Sequence, residues 1–327
     1  MFPVRVAFWG WSKGIMIDAR DAQAIDAAKL YYASGLGQAE VAQRLGISRP
    51  TVSKLLSYAR EKGFVTITLN DPREQGDEIA QRLKERFSLE HVRVVRPVSP
   101  DKEELLRELG NAGASLLEDL VCDGMSVGIS WGNTLNNVSE HLRSLPRHDV
   151  SVVQLKGGHS LSERSTNDLS TLTRFARAFN AEMNLLPLPV ILDSREAKDL
   201  VVRDRHISCM LSAGANADVV VFTVGSVQRE SLLLNLGYLS EEEINRLLTH
   251  AVGDICSRFY TETGEIADPA IDARTVGISI KDLSSRPTRV LVAGGVDKAK
   301  AIRVALEMGT TTHLVTDFGA AQAVLGE

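Results

Sequence analysis

Lys156 closes the apolar run VVQL and is followed at once by Gly157 and Gly158. A lysine at the end of a buried strand is partly desolvated, which disfavours its charged form and lowers its pKa. An amine that is neutral part of the time can attack an aldehyde and form a Schiff base. The same side chain could instead snorkel to solvent or pair with a phosphate, and residue type and position leave both readings open. A second run with chemical potential is GISWGNT, which contains Gly128, Ser130, Gly132, Asn133 and Thr134. Its glycines let a backbone approach an anion, its hydroxyls and amide donate, and a helix starting there adds a partial positive charge. A routine strand-to-helix turn is the plain alternative. Two further runs end like strands: FTVGS, with Thr223 and Gly225, and VAGGVDK, with Lys298. Lys298 could neutralise a phosphate or merely decorate a helix. In VGDICSR, Asp254 could hold a sugar hydroxyl, although the segment reads equally as a strand, a turn or a site edge.

A different chemistry is written in QAEVAQRLGISRPTVSKLL, residues 38–56. Gly46 sits where a first helix must stop in a left-handed conformation. Ser48 is a good N-cap, and Pro50 falls in the first turn of a second helix, where its missing N–H is harmless. Ala42 permits close helix approach, Leu45 and Ile47 plug the corner, and Val52, Leu55 and Leu56 make a buried stripe. Ser48, Arg49, Thr51, Ser53, Lys54 and Ser57 are left as a polar face suited to a major groove, with Arg49 or Lys54 placed to read guanine. An ordinary helical hairpin is the alternative, but glycine, cap, proline and apolar phase agree on helix-turn-helix.

These residues need elements to hold them. Residues 18–34 carry an apolar phase (Ile25, Ala28, Leu30, Tyr31) for a helix packed on the motif, and residues 64–69 alternate like a strand. Three helices and a strand make a winged helix-turn-helix domain over residues 18–72, closed by Asn70, Asp71 and Pro72. Residues 73–327 read as a larger α/β domain. Helices are expected at 77–87 and 102–121, and strands at 91–95, 126–130, 150–155, 189–192, 219–224, 275–280, 289–293 and 313–316. Near-continuous β-branched runs between helices argue for a largely parallel sheet covered on both faces. Ligands bind such sheets beyond the carboxyl ends of the strands, where the glycine-rich runs fall.

Composition narrows the class. The 327 residues are 44% hydrophobic and 24% charged, as in a globular soluble chain, and no apolar run reaches the roughly 18 residues of a membrane span. The net charge is −5, yet residues 1–72 carry nine Lys/Arg against six Asp/Glu, leaving −8 on the rest. A small basic domain joined to an acidic one suits phosphate contacts at one end. Cys122, Cys209 and Cys256 lack metal or disulfide spacing and read as buried thiols in a reducing cytoplasm. The histidines form no ligand pair, so no metal and no cofactor is expected. Residues 1–17 read as a floppy leader or an extended translation start.

The order of these runs, from YYASGLGQAEVAQRLGISRPTVSKLL through GISWGNT, VVQLKGG, LPLPVI, FTVGSV, AVGDICSRF and TVGI to VAGGVDKAKAI, resembles the SorC-type bacterial transcriptional regulators from about residue 22 to the end. The resemblance implies an effector domain similar to sugar-phosphate isomerases, a phosphorylated sugar as effector, operator DNA as partner and assembly as a homo-oligomer, a dimer of dimers. The QLKGG and GDICSRF runs are similar to those of members that hold deoxyribose 5-phosphate as a Schiff base on the lysine of QLKGG. That implies the covalent role for Lys156 and a repressor of deoxyribonucleoside catabolism genes. Gly128, Ser130, Gly132, Asn133, Thr134, Gly157, Gly158, Thr223, Gly225, Asp254 and Lys298 are then the expected effector contacts. The run HSLSERSTNDLS after Gly158 departs from the family pattern. An isomerase or aldolase carrying a DNA domain is the rival reading, opposed by the lack of any evident acid/base partner for Lys156. No catalytic residue is therefore expected.

Overall fold

The structure is a computed structural model that describes residues 18–65, 78–158 and 165–327. It divides into two compact units after Asn70. In the first, helices α1 (Ala19–Ala28), α2 (Gln38–Leu45) and α3 (Arg49–Glu61) pack around Val41, Ala42, Val52, Leu55, Leu56 and Ala59. The face that α1 buries is Ala24, Ala27 and Ala28, while Ile25 is only half-buried. Three alanines allow a closer approach than the expected Ile25 phase. The chain then continues as one π turn, Lys29–Ala33. The Tyr58 hydroxyl ties α3 to α1 by donating to Asp21 Oδ1 at 2.8 Å. The expected strand at 64–69 lies mostly outside the described residues, as do the 70–72 boundary and the leader.

The second unit holds α4 (Glu78–Phe87), α5 (Lys102–Leu120), α6 (Asn133–His141) and α7 (Asp168–Phe179). Its strands are β1 (His91–Val95), β2 (Ser126–Ile129), β3 (Ser151–Gln154), β4 (Glu182–Asn184), β5 (Val219–Phe222), β6 (Val224–Ser226), β7 (Gly253–Ile255), β8 (Arg258–Tyr260), β9 (Thr288–Val292) and β10 (His313–Asp317). Seven of them form one sheet in the order β1-β10-β9-β5-β2-β3-β4, every pair parallel. Both faces of the inner strands are buried, which is why those strands read as largely apolar runs, while the edge strand β4 is exposed. In β5, Val220 and Phe222 enter one core with α4 and the helices at the C-terminus, while Val219 and Val221 enter the other with α5, α6 and α7. Each such residue contributes roughly 1.5–3 kcal/mol on burial.

β6, β7 and β8 make a separate antiparallel sheet. Two expected strands are not strands. Residues 189–192 and 275–280 form no ladder beyond the isolated bridge Ile191–Thr275, beside which Val276 N donates to the Val190 carbonyl at 2.8 Å. Pro187 and Pro189 cannot donate to a ladder, and Ser279 caps a helix, Ile280–Ser284, by accepting from Asp282 N at 3.0 Å. The cysteines also differ from expectation: Cys122 and Cys209 are exposed, and only Cys256 is buried. Their helix-end and surface-helix positions set that exposure.

Candidate functional site

The strand order reverses direction between β2 and β5: β2, β3 and β4 run outward on one side, β5, β9 and β10 on the other. A cleft is expected at the carboxyl ends of the strands flanking such a switch. A cleft of about 670 Å³ lies there. Trp131–Thr134 line it after β2, Lys156 after β3, Thr223–Ser226 after β5 and Gly294–Lys298 after β9. Asp254 of β7 enters from the small sheet, and Lys102, Leu105 and Leu106 of α5 close one wall.

At the β2 end, Gly132 has φ +147° and ψ 169° and forms the N-cap of α6. Only glycine adopts that backbone readily. The turn brings the first N–H groups of α6, at Asn133 and Thr134, to the cleft, where a helix terminus favours an anion. Lys298 also lines the cleft, and burial pushes its pKa below the ordinary lysine range.

Lys156 is 4% exposed. Its Nζ lies 3.6 Å from the centroid of the Trp131 ring and donates to Ser257 Oγ at 3.0 Å. The indole is itself held, with Nε1 donating to the Gly157 carbonyl at 2.8 Å. Burial lowers the Lys156 pKa, opposed by the negative charge of Asp254. Asp254 is 7% exposed, and burial raises its carboxyl pKa against the pull of Lys156. Both shifts favour the neutral pair, an amine beside a carboxylic acid. Asp254, which the sequence offered only as a sugar contact, thus acts on Lys156 through its charge. Asp254 Oδ2 accepts from Ser257 N at 3.0 Å, so Ser257 links the two groups.

Of the expected effector contacts, Gly132, Asn133, Thr134, Lys156, Thr223, Gly225, Asp254 and Lys298 line this cleft together. Gly128, Ser130, Gly157 and Gly158 do not; they hold the frame behind it. Gly128 lies inside β2, where a Cβ would stand 2.5 Å from Leu155 Cδ2. Ser130 is buried with its hydroxyl against the Cys256 thiol, whose pKa burial lifts to about 11. A Cβ on Gly157 would meet the Pro189 carbonyl at 2.4 Å, and one on Gly158 would strike the Asp168 carboxylate at 1.9 Å. The glycines after Lys156 thus let other segments close on it. Gly225 clears room in the same way for Asp254. Residues 159–164 of the divergent run lie outside the described residues. At its end, Thr166 Oγ1 donates to the Gly158 carbonyl at 2.7 Å.

Trp131, Ser257 and Gly277 were not singled out from the sequence. Trp131 was hidden inside a run read for its glycines. Gly277, with φ +146°, bridges the backbone of Lys156, and a Cβ there would meet Lys156 Cα at 2.8 Å. No spacing rule points to Ser257.

In the N-terminal unit, Gly46 takes φ +64° and Ser48 Oγ accepts from Thr51 N at 3.3 Å, as the motif requires. Arg49, Ser53 and Lys54 are exposed on α3. Thr51 and Ser57 are half-buried: the Ser48 and Thr51 hydroxyls pair at 2.8 Å, and Ser57 Oγ accepts from Arg60 at 3.4 Å.

Comparison with known proteins agrees with this division. A family described as "Putative sugar-binding domain" matches residues 71–326, and one described as "Homeodomain-like domain" matches residues 18–65. The chain is 41% identical over 303 residues to the deoxyribonucleoside regulator of Bacillus subtilis (strain 168), covering 93% of this chain and 97% of that protein. It is 33% identical over 302 residues to the sorbitol operon regulator of Klebsiella pneumoniae, covering 91% and 96%. The crystal structure of the full-length sorbitol operon regulator SorC from Klebsiella pneumoniae matches with a TM-score of 0.72 at 30% identity, over 93% of this chain and 98% of that one.

Proposed function

The chain belongs to the SorC family of sugar-binding transcriptional regulators, and from that premise we propose that it is a repressor of deoxyribonucleoside catabolism genes, released from its operator by deoxyribose 5-phosphate bound covalently to Lys156. The observation that carries this reading is the buried Lys156 amine in a cleft that also presents a helix N-terminus. The phosphate sits on Gly132–Thr134, with Lys298 lining the same cleft. Lys156 attacks C1 of the open-chain sugar, and the carbinolamine loses water to give the imine. Asp254 faces the sugar as acid, base or hydroxyl partner. Arg49 and Lys54 of α3 contact operator bases and phosphates, with Ser48, Thr51, Ser53 and Ser57 beside them. One helix-turn-helix offers few contacts, so the operator has paired half-sites and the protein acts as a symmetric oligomer, a dimer of dimers, in the cytoplasm.

One observation favours a second reading. The Trp131 ring face under Nζ supports an ammonium, and a lysine kept charged pairs with a phosphate and forms no imine. Borohydride trapping with deoxyribose 5-phosphate, followed by peptide mass mapping, separates the two. Covalent mass on Lys156 is expected; an unmodified Lys156 at saturating sugar defeats the covalent reading. A gel shift on the neighbouring promoter with a panel of phosphosugars tests the regulatory half. Release by deoxyribose 5-phosphate is expected, and turnover of the sugar into products overturns the assignment as a regulator.

A further inference from the structure

The hairpin joining β7 to β8 has a two-residue loop, Cys256 and Ser257, with φ +49° and φ +67°. Tandem left-handed residues suit the twist of such a hairpin, but that geometry normally recruits asparagine, aspartate or glycine. Here neither residue is one of those, and both are sealed from solvent, Ser257 at 0% exposure. A strained backbone persists only where its surroundings over-determine it. Arg258, next in the chain, provides that constraint: its guanidinium donates to the Ile278 carbonyl at 2.7 Å, the Gly277 carbonyl at 2.9 Å and Asp272 Oδ1 at 2.6 Å. Gly277 is also the residue bridged to Lys156.

A glycine would fit position 257 with less strain, so the backbone does not explain the serine. Its hydroxyl does: Oγ stands 3.0 Å from Lys156 Nζ, and the Ser257 N–H fixes Asp254. We propose that Ser257 is the positioning residue of Lys156, aiming its amine into the cleft and relaying its proton during reaction with a carbonyl. The proposal rests on the reading of Lys156 as an amine that condenses with an aldehyde. As Nζ adds to the carbonyl carbon, a C–N bond forms and the C=O π bond breaks. One proton leaves nitrogen for Ser257 Oγ while the Ser257 hydroxyl proton passes to the new alkoxide, giving a neutral carbinolamine. A second transfer by the same route expels the hydroxyl as water and leaves the imine. No oxidant or other reactant is needed.

The test uses the full-length protein and formaldehyde with borohydride, which methylates any accessible neutral amine and does not depend on the identity of the sugar. Methylation of Lys156 is followed by peptide mass mapping across pH, with exposed Lys300 as internal reference. Ser257→Ala removes the hydroxyl, and Ser257→Gly removes it while relaxing the backbone, so one variant folds even if the other does not. Both are expected to slow Lys156 labelling relative to Lys300 on the order of 100-fold, the lower end of what a positioned proton-transfer group contributes. Both should also change its pH profile and leave the affinity for inorganic phosphate as in the wild type. Unchanged labelling and pH profile overturn the proposal. Slowed labelling with phosphate affinity lost also overturns it, because the turn is then only scaffold. If deoxyribose 5-phosphate fails to trap on wild-type Lys156 while formaldehyde labelling still depends on Ser257, the sugar assignment falls and the role of Ser257 stands.

Discussion

Replacing Gly132 with alanine tests whether the cleft is built around an anion. Gly132 holds φ +147° at the N-cap of α6, and an added Cβ would meet nothing closer than Thr223 Cγ2 at 3.6 Å. The substitution therefore creates no collision, and its whole cost is torsional, about 1–3 kcal/mol for a residue held in a region reserved for glycine. If the loop keeps its shape, a cost of about 2 kcal/mol lowers Tm by about 4–8 °C for a unit of this size. If the loop relaxes, the first N–H groups of α6 rotate away from the ligand. Losing one charge-assisted hydrogen bond worth about 2 kcal/mol then raises the Kd for a sugar phosphate about 30-fold. Gly124 is the control: its φ is +78°, nothing lies within 4 Å of its added Cβ, and it precedes β2 at the end of the sheet away from the cleft. Gly124→Ala should lower Tm and leave affinity alone. Thermal melts and calorimetric titration with deoxyribose 5-phosphate measure both. A Gly132→Ala protein with wild-type Tm and wild-type affinity refutes the argument.

Lys156→Met should raise Tm at about pH 6 and abolish aldehyde capture. Burial holds the native pKa of Lys156 below its unfolded value of about 10.4. The unfolded chain therefore binds more protons between those two pKa values, and stability rises with pH there. The destabilisation from Lys156 is full below the native pKa and gone above the unfolded one, so the gain from methionine should shrink as pH rises; a constant gain refutes the linkage. Arg258→Met strips a buried cation from Asp272 and two carbonyls and should cost about 3–5 kcal/mol, read as a lower urea midpoint. Arg49→Ala or Lys54→Ala should weaken operator binding. If the lost contact is to phosphate, the slope of log K against log salt falls by about 0.9; if it is to a base, the salt slope holds and discrimination at that position drops by about 1–3 kcal/mol. Binding titrations at several salt concentrations decide between the two.

The sequence exposed most where one residue type had one physical use. Gly46, Ser48 and Pro50 each have a narrow set of backbone roles, so the helix-turn-helix was legible almost atom by atom. The inner strands of the parallel sheet were legible because both of their faces are buried and they are largely apolar, whereas the short, exposed edge strand β4 carries no such signal. The small antiparallel sheet was not: β6, β7 and β8 are three residues each, too short for alternation to register. The site was legible as a set of strand ends but not as a set of contacts. Glycines announced close approach without saying to what. Gly132 opens onto the cleft, whereas Gly128, Gly157 and Gly158 make room for Leu155, Pro189 and Asp168. Lys156 and Asp254 were visible separately, 98 positions apart in the chain. Their meeting depends on a left-handed Cys–Ser turn that carries no glycine or asparagine to mark it.

If Lys156 captures the sugar as proposed, the two ends of the cleft would do different work. On the proposed reading the α6 terminus and Lys298 would recognise an anion whatever carbon skeleton carries it, and that contribution would be present for any phosphosugar of the right length. On that reading Lys156 would discriminate by functional group: an aldehyde would gain a covalent bond there, while a sugar alcohol phosphate would meet a buried amine and offer it no carbonyl. An amine that captures only the open-chain sugar would show an apparent affinity equal to the intrinsic one reduced by the open fraction. A ring-closed sugar thus gives up affinity in exchange for being distinguished from every phosphate that cannot open. Burial of Lys156 is costly to the protein until a carbonyl arrives, and that cost fits a sensor. It favours the neutral amine, and on the proposed reading the reversible imine, rather than the phosphate that accompanies it, would be the event that reports the sugar.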